Sequence, residues 1–220
     1  MRPPFDPTLY LVTDTALCLP RPVADVVRAA VAGGVTAVQV RDKLAPRREL
    51  LALTRSVQAA LADRPDVPVV VNDAVDVALL AGADGVHVGQ EDLPADEVRA
   101  LIGPDRLLGV SVESAADLAE ALALPPGTVD VVGLSPVWAT PTKPEAGPGL
   151  GLDATRELAA AAHAGGLRAV AIGGIDATRA AAAAATGVDG ICVVSAVCAA
   201  PDPRAAAARL RAALSPVGAR

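Results

Sequence analysis

Three polar residues at alternate positions, Gln39, Arg41 and Lys43, follow a short apolar run. In an extended chain, residues two positions apart point to the same side, so these side chains would share one face. An amide beside two cations is suited to binding a polyanion such as a diphosphate. The alternative interpretation is a row of solvated charges at the end of a strand.

Two of the 19 basic residues are lysines, Lys43 and Lys143, and the remainder are arginines. Because the chain otherwise uses arginine, the two lysines predict a specific task at their positions. A compact ammonium group that contacts phosphate as a point charge would perform such a task. Lys143 is therefore a candidate phosphate ligand together with Lys43.

Two carboxylates, Asp73 and Asp92, follow two further apolar runs that we expect to be neighbouring strands. Paired carboxylates near a polyphosphate commonly hold Mg²⁺, which bridges carboxylate and phosphate oxygens. Either aspartate would instead be able to cap the helix that follows it, as aspartate often does. Because Arg41 and Lys43 follow the strand that precedes the one before Asp73, cations that could bind a polyphosphate lie nearby, and the sequence favours a Mg²⁺ site.

A second group of residues, in the carboxyl-terminal half of the chain, is suited to binding another phosphate. Its members offer backbone amides at turns or side-chain hydroxyls, and they are Thr140, Thr142, Gly174, Val194 and Ser195. Glycine lets the backbone approach an anion closely, although glycine pairs also form ordinary tight turns. Trp138, one of three aromatic residues, would either cover a planar ring here or pack the loop down.

The two histidines give little support for hydrolytic catalysis. His87 stands within an apolar run, which favours an interior position, and His163 lies in an alanine-rich segment typical of a helix. No Ser-His-Asp or Cys-His pattern is visible in the sequence, so acyl transfer is not indicated. Two anion pockets, one of them with a metal, instead indicate an enzyme that joins or rearranges phosphorylated small molecules.

Eight short β-branched runs alternate with longer segments in which apolar residues recur at a spacing near 3.6, as in amphipathic helices. The predicted strands cover residues 9–13, 37–40, 67–71, 85–88, 107–110, 129–133, 169–172 and 190–194. Such units predict one α/β domain over residues 1–220, a single (β/α)8 TIM barrel with its chemistry at the carboxyl-terminal rim of the strands. An open doubly wound sheet is the alternative, but no GxGxxG fingerprint follows the first strand.

The acidic balance, a formal net charge of −6, argues against nucleic acid or an anionic membrane surface as a partner. No apolar segment approaches the roughly 18 residues of a membrane span, and the first residues do not resemble a signal peptide. Cys18, Cys192 and Cys198 are too few and too irregularly spaced for a disulfide framework or a zinc site. We therefore expect a cytoplasmic protein with small-molecule partners, and homo-oligomer formation is left open.

Several short motifs occur in a fixed order along the chain. They are Tyr-Leu-Val-Thr-Asp at 10–14, Gln-Val-Arg-Asp-Lys at 39–43, Asn-Asp at 72–73, Gly-Ala-Asp-Gly-Val-His-Val-Gly-Gln-Glu-Asp-Leu-Pro at 82–94, Gly-Val-Ser at 109–111, Ala-Thr-Pro-Thr-Lys at 139–143, Gly-Gly-Ile at 173–175 and Val-Ser-Ala at 194–196. In this order they resemble the thiamine-phosphate synthase/thiazole tautomerase barrel family, over nearly the whole chain.

The resemblance implies that hydroxymethylpyrimidine diphosphate and hydroxyethylthiazole phosphate are joined to give thiamine phosphate and pyrophosphate. It implies that the pyrimidine diphosphate is held by Gln39, Arg41, Lys43, Asn72, Ser111 and Lys143. It assigns the thiazole phosphate to Thr140, Thr142, Gly174, Val194 and Ser195, and Mg²⁺ to Asp73 and Asp92. Catalytic roles fall to Arg41, Lys43, Ser111 and Lys143.

Three positions differ from the pattern common in that family: Ala74 after the Asn-Asp pair, Glu113 two residues after the serine, and Trp138 where Phe is common. None of them removes a predicted ligand. Two other functions stay open. A thiazole tautomerase of the same family would need a general acid or base but no diphosphate site, and a non-catalytic sensor of a phosphorylated ligand would leave both aspartates unexplained.

Overall fold

The computed structural model describes residues 2–140 and 149–214, and its strands form one closed barrel. The strands are β1 (Leu9–Val12), β2 (Ala37–Val40), β3 (Val69–Asn72), β4 (Gly85–Val88), β5 (Leu107–Val112), β6 (Val131–Leu134), β7 (Arg168–Ile172) and β8 (Gly190–Val193). Every neighbouring pair is parallel, the spatial order is the order of the sequence, and β8 pairs with β1. The predicted (β/α)8 TIM barrel is confirmed.

Helices follow each strand and cover the outside of the barrel. They are α1 (Thr15–Cys18), α2 (Val23–Ala32), α3 (Arg47–Ala60), α4 (Val75–Ala81), α5 (Ala95–Ile102), α6 (Ala115–Ala123), α7 (Gly151–Ala164), α8 (Ala180–Ala184), α9 (Ser195–Cys198) and α10 (Pro203–Leu214). Within the described residues, no helix is both long and apolar enough to cross a membrane.

Side chains alternate between the two faces of each strand, so the barrel has an outer and an inner core. Outward residues such as Val38, Val86 and Leu108 pack against the helices in the larger apolar cluster. Inward residues such as Tyr10 and Val170 form a smaller cluster inside the barrel. Because both faces are covered, the strands contain continuous apolar runs rather than alternating ones.

Six of the eight strands begin or end one or two residues away from the sequence-based prediction, and three of these differences have a clear local reason. The third strand begins at Val69 rather than at residue 67, because Pro68 has no N–H to donate and contributes only its carbonyl, which accepts from the Val38 amide at 3.0 Å. β5 continues to Val112 because β6 offers partners at that level. β8 stops before Val194, whose ψ of −85° is not extended.

The amino ends of the strands carry a repeated hydrogen bond that joins them in pairs. A side-chain oxygen just before each even-numbered strand accepts from the first or second amide of the preceding odd-numbered strand: Thr36 from Leu9 at 3.0 Å, and Asp84, Asp130 and Asp189 from Val69, Leu108 and Ala169, each at 2.8 Å. These bonds satisfy amides that would otherwise lack partners where the strands begin. They also fix the register of the β1–β2, β3–β4, β5–β6 and β7–β8 pairs.

The amino end of the barrel is closed by the segment that precedes β1. The ring of Phe5 meets the ring of Tyr10 edge to face, with 5.8 Å between centroids. The Arg168 guanidinium lies over Phe5 at 5.9 Å and donates to its carbonyl oxygen. The opposite, carboxyl end of the barrel is therefore the end that can admit a ligand.

Candidate active site

A cavity of about 480 Å³ opens at the carboxyl ends of the strands and extends into the barrel. Eight of the predicted site residues line it: Gln39, Arg41, Lys43, Asn72, Asp73, Asp92, Ser111 and Thr140. They come from the ends of β2, β3, β4, β5 and β6 and from the loops that follow. The structure thus brings distant parts of the chain together at the rim where barrel chemistry takes place.

Gln39 reaches the cavity from β2 and is 5% exposed. Its Nε2 donates to the hydroxyl of Tyr10 on β1, with 3.3 Å between nitrogen and oxygen. Burial raises the pKa of the Tyr10 phenol, so this group stays neutral. The bond holds one edge of the buried amide and leaves the other edge for a ligand.

Arg41 lies one residue beyond the end of β2, so its position is set by a loop rather than by strand alternation. Its amide donates to the Thr13 hydroxyl at 2.9 Å. Its guanidinium faces the carboxylate of Asp14, with 3.7 Å between nitrogen and oxygen and 16% of the arginine side chain exposed. Asp14 also accepts from the Leu17 amide at 3.1 Å and so caps α1. The cation is held in place by residues that follow β1.

Asp73 follows β3 in a strained turn. Among residues 2–140 and 149–214 it is the one non-glycine residue with a positive φ, at 59°. Such backbone strain costs about 1–3 kcal/mol and is concentrated at functional sites. Burial, and then the neighbouring carboxylate of Asp92, raise the pKa of Asp73 from 3.8 to about 6, while Lys43 and Arg41 oppose the shift. The fold therefore holds two carboxylates together against their repulsion.

Asp92 lies in the loop after β4, where its Oδ2 accepts from the Gly89 amide at 2.7 Å. This bond turns its carboxylate toward Asp73 and the cavity that both residues line. Within the described part of the chain, no group of three or more His, Cys, Asp or Glu residues is arranged to hold a metal ion. Two neighbouring carboxylates that repel each other would suit a Mg²⁺ ion, which takes oxygen ligands and would keep further positions for water and substrate.

Ser111 lies near the end of β5 and faces the cavity. Its Oγ is 3.0 Å from Nε2 of His87, which lies on β4. Its carbonyl oxygen accepts a short hydrogen bond from the side-chain amide of Gln90. The serine is therefore held through its side chain and through its backbone.

The residues after β6, β7 and β8 are only partly brought into the cavity. Thr140 and Gly173 line it, whereas Gly174, Val194 and Ser195 lie at the ends of β7 and β8 outside the lining. Thr142 and Lys143 lie outside the described residues.

Trp138 follows β6 and packs against the loop after β7. The Arg179 guanidinium lies 5.1 Å from its ring centroid and donates to the Gly174 carbonyl at 2.9 Å. A side chain at position 174 would place its Cβ 2.9 Å from the Cβ of Trp138. These contacts favour the second of the two interpretations of Trp138, a residue that packs the loop down.

Charge is distributed unevenly around the cavity. The β2 side carries Arg41 and Lys43, and the β3–β5 side carries Asp73, Glu91, Asp92 and Glu113. Deeper inside, the lining is largely apolar and includes Val12, Val170, Ile172 and Cys192. The arrangement suits a ligand with a flat, weakly polar ring inside the barrel and a charged group at the rim.

Sequence reasoning did not assign three residues that hold the site together, Asp14, Tyr10 and His87. His87 does lie in the interior, as expected, but it lines the cavity and contacts Ser111. Its position between two outward-facing valines indicates an inward orientation, and this signal is present in the sequence. The pairing of Asp14 with Arg41 joins two loops and has no local signal.

Comparisons with known proteins find similar sequences and a similar structure over nearly the whole chain. A model of the family described as "Thiamine monophosphate synthase" matches residues 9–197. A curated thiamine-phosphate synthase of Albidiferax ferrireducens is 46% identical over 203 residues, covering 92% of this chain and 90% of the relative. That of Vibrio parahaemolyticus is 47% identical over 199 residues, covering 90% and 94%. The solved thiamine phosphate pyrophosphorylase from Pyrococcus furiosus has a TM-score of 0.83 at 36% identity, covering 94% of this chain and 95% of that one.

Proposed function

The chain belongs to the thiamine monophosphate synthase family and is an enzyme, and we propose that it joins hydroxymethylpyrimidine diphosphate to hydroxyethylthiazole phosphate. The products would be thiamine phosphate and pyrophosphate. We also place this activity in the cytoplasm, where reducing conditions suit the buried free thiols of Cys18, Cys192 and Cys198.

The observation that carries this proposal is the pairing of opposite charges across one cavity. Arg41 and Lys43 stand on one side and the carboxylates of Asp73 and Asp92 on the other, above an apolar interior. A diphosphate would bind the cations directly and the carboxylates through a metal. The pyrimidine ring would enter the barrel, where Gln39 and Ser111 offer polar contacts.

The proposed reaction needs no general base. The thiazole nitrogen attacks with a free lone pair, so a C–N bond forms at the pyrimidine methylene while the C–O bond to the diphosphate breaks. The electron-rich aminopyrimidine can carry positive charge as that bond lengthens, which favours a dissociative path. The enzyme then has to stabilise negative charge on the departing pyrophosphate and to align the two rings. We assign these tasks to Arg41, Lys43, Ser111 and Lys143.

Asp73 and Asp92 would hold the Mg²⁺ ion, which when bound supplies positive charge to the diphosphate oxygens. The two carboxylates fit this ion because they are adjacent. The raised pKa of Asp73 also indicates that its ionised form is unfavourable without a neighbouring cation. Asn72, which lines the cavity beside Asp73, would bind the diphosphate through its side-chain amide.

The thiazole phosphate would bind on the β6–β8 side of the rim. The residues that we assign to it are Thr140, Thr142, Gly174, Val194 and Ser195. Gly174 and Ser195 lie beyond the cavity lining, so we expect the phosphate to extend from the cavity along the rim toward α9.

The experiment is to mix the two phosphorylated substrates with the protein and to measure thiamine phosphate and pyrophosphate, with Mg²⁺ and with a chelator. We expect equal amounts of both products with Mg²⁺ and a large loss with the chelator. A matched pair, Arg41→Ala and the surface variant Arg28→Ala, separates site from surface, because Arg28 pairs with Asp63 on the outside of the barrel. Folded protein that forms no thiamine phosphate would reject the proposal, and isomerisation of the thiazole phosphate alone would indicate a tautomerase.

A further inference from the structure

His87 occupies a position inside the barrel where the surrounding residues are mostly apolar. It lies on β4 and is 9% exposed, and its neighbours Val86 and Val88 face the helices. An imidazole is a polar ring, so burying it here is unfavourable unless the ring makes a polar contact. A fold that needed only to fill this volume would use an aliphatic residue, as it does at Val12 and Val170.

The space for the imidazole is provided by two glycines on neighbouring strands. Gly109 pairs with His87 in the β4–β5 register, and a Cβ at position 109 would lie 2.3 Å from its Nδ1. Gly133 follows on β6, where a Cβ would lie 3.3 Å from the ring carbon Cε1. Glycine weakens a strand interior and is typical of places where another group approaches closely. The ring therefore crosses above β5 toward β6.

The ring reaches across these strands to the Ser111 hydroxyl, which faces the cavity. The Nε2–Oγ distance is 3.0 Å, and the Ser111 carbonyl is held separately by Gln90. A serine hydroxyl otherwise rotates among three staggered positions. Contact with the imidazole selects one of them before a ligand arrives, which reduces the ordering that binding requires.

We propose that His87 is a positioning residue that orients the Ser111 hydroxyl toward the pyrimidine of the diphosphate substrate. The inference rests on the proposed function, because it needs Ser111 to contact that substrate. His87 itself acts through the serine, and its effect on the reaction should therefore disappear when the hydroxyl is absent.

The test is a double-mutant cycle with His87→Leu, Ser111→Ala and the combined variant, scored as kcat/KM for the pyrimidine diphosphate. We expect each single change to lower it about tenfold, the loss typical of one hydrogen bond, and the combined variant to match Ser111→Ala within about twofold. His87→Gln, whose amide reaches the same place, should recover most of the activity. The KM for thiazole phosphate should stay within about twofold in all of them.

His163→Gln is the matched control, because this second histidine contacts Asp189 at the amino end of the barrel, at 2.8 Å. It should leave both KM values unchanged. Losses that multiply in the combined variant would show that His87 has only a packing role, and a Ser111→Ala enzyme with normal kcat/KM would also overturn the inference. If circular dichroism shows that His87→Leu is not folded, the same double-mutant cycle is measured with His87→Asn, and the same outcomes support or overturn the inference. Wild-type protein that makes no thiamine phosphate overturns the proposed function, and this inference with it.

Discussion

Replacing Asp73 by asparagine should stabilise the metal-free protein at neutral pH. The folded state raises the pKa of this carboxyl from 3.8 to about 6, first through burial and then through Asp92. The ionised form is therefore less favourable in the folded chain than in the unfolded chain. Asparagine has the same shape, lacks the charge and tolerates the positive φ of 59° at this position as well as aspartate does.

The magnitude follows from the pKa difference. A shift from 3.8 to about 6 corresponds to about 3 kcal/mol at 1.36 kcal/mol per unit, and solvent screening of the half-buried carboxylate reduces the gain for Asp73→Asn to about 2 kcal/mol. For a chain of this length, that gain raises Tm by about 4–8 °C. Because the folded pKa is the higher one, the gain is complete above about pH 6 and declines to nothing below about pH 4.

The assay is urea denaturation in the presence of a chelator, at a series of pH values from 4 to 7.5. Asp76→Asn is the control, because Asp76 is an exposed residue of the next helix and pairs with Arg47 at 3.6 Å. Its free energy of unfolding should change by less than about 0.5 kcal/mol. Equal stability of Asp73→Asn and wild type at pH 7.5, or a gain that persists at pH 4, would refute the reasoning.

Three other changes test separate parts of the account. Tyr10→Phe removes the hydroxyl that accepts a hydrogen bond from Gln39. The KM for the pyrimidine diphosphate should rise about fivefold, with kcat within about twofold of wild type. An unchanged KM would mean that the Gln39 side chain does not need this hydrogen bond to bind the substrate. Asp130→Ala removes the carboxylate that pairs with the Arg99 guanidinium at 2.7 Å. The free energy of unfolding, measured by urea denaturation, should fall by about 3 kcal/mol, and a fall below about 1 kcal/mol would contradict this. Lys143→Ala should lower kcat about a hundredfold with normal thiazole phosphate KM, and a change below about twofold would remove this lysine from the mechanism.

The fold was predictable because its signals are local and repeated. Each strand is a short apolar run, and each following segment has helical periodicity, so the alternation alone indicates eight strand–helix units. One further signal was missed. The sequences Gly-Val-Thr-Ala at 34–37, Gly-Ala-Asp-Gly at 82–85 and Gly-Val-Asp-Gly at 187–190 precede even-numbered strands, and their third residues make the bonds that pair the strands.

The cavity-lining residues were predictable to the extent that they stand at strand ends. Gln39, Asp73 and Asp92 were found in this way, because barrel geometry brings such positions together. The supporting contacts were not predictable, since they depend on the register between strands. Nothing local in the sequence indicates that Gly109 makes room for the ring of His87.

In the proposed function, one rim holds a diphosphate on its β2–β4 side and a phosphate on its β6–β8 side. The most direct test of this arrangement is to measure the KM values of both substrates in Lys43→Ala and Ser195→Ala. We expect a reciprocal pattern. Lys43→Ala should raise the KM for the pyrimidine diphosphate about tenfold and leave the KM for the thiazole phosphate within about twofold, and Ser195→Ala should do the reverse. If both variants raise the KM of the same substrate, the division of the rim into two anion pockets is wrong.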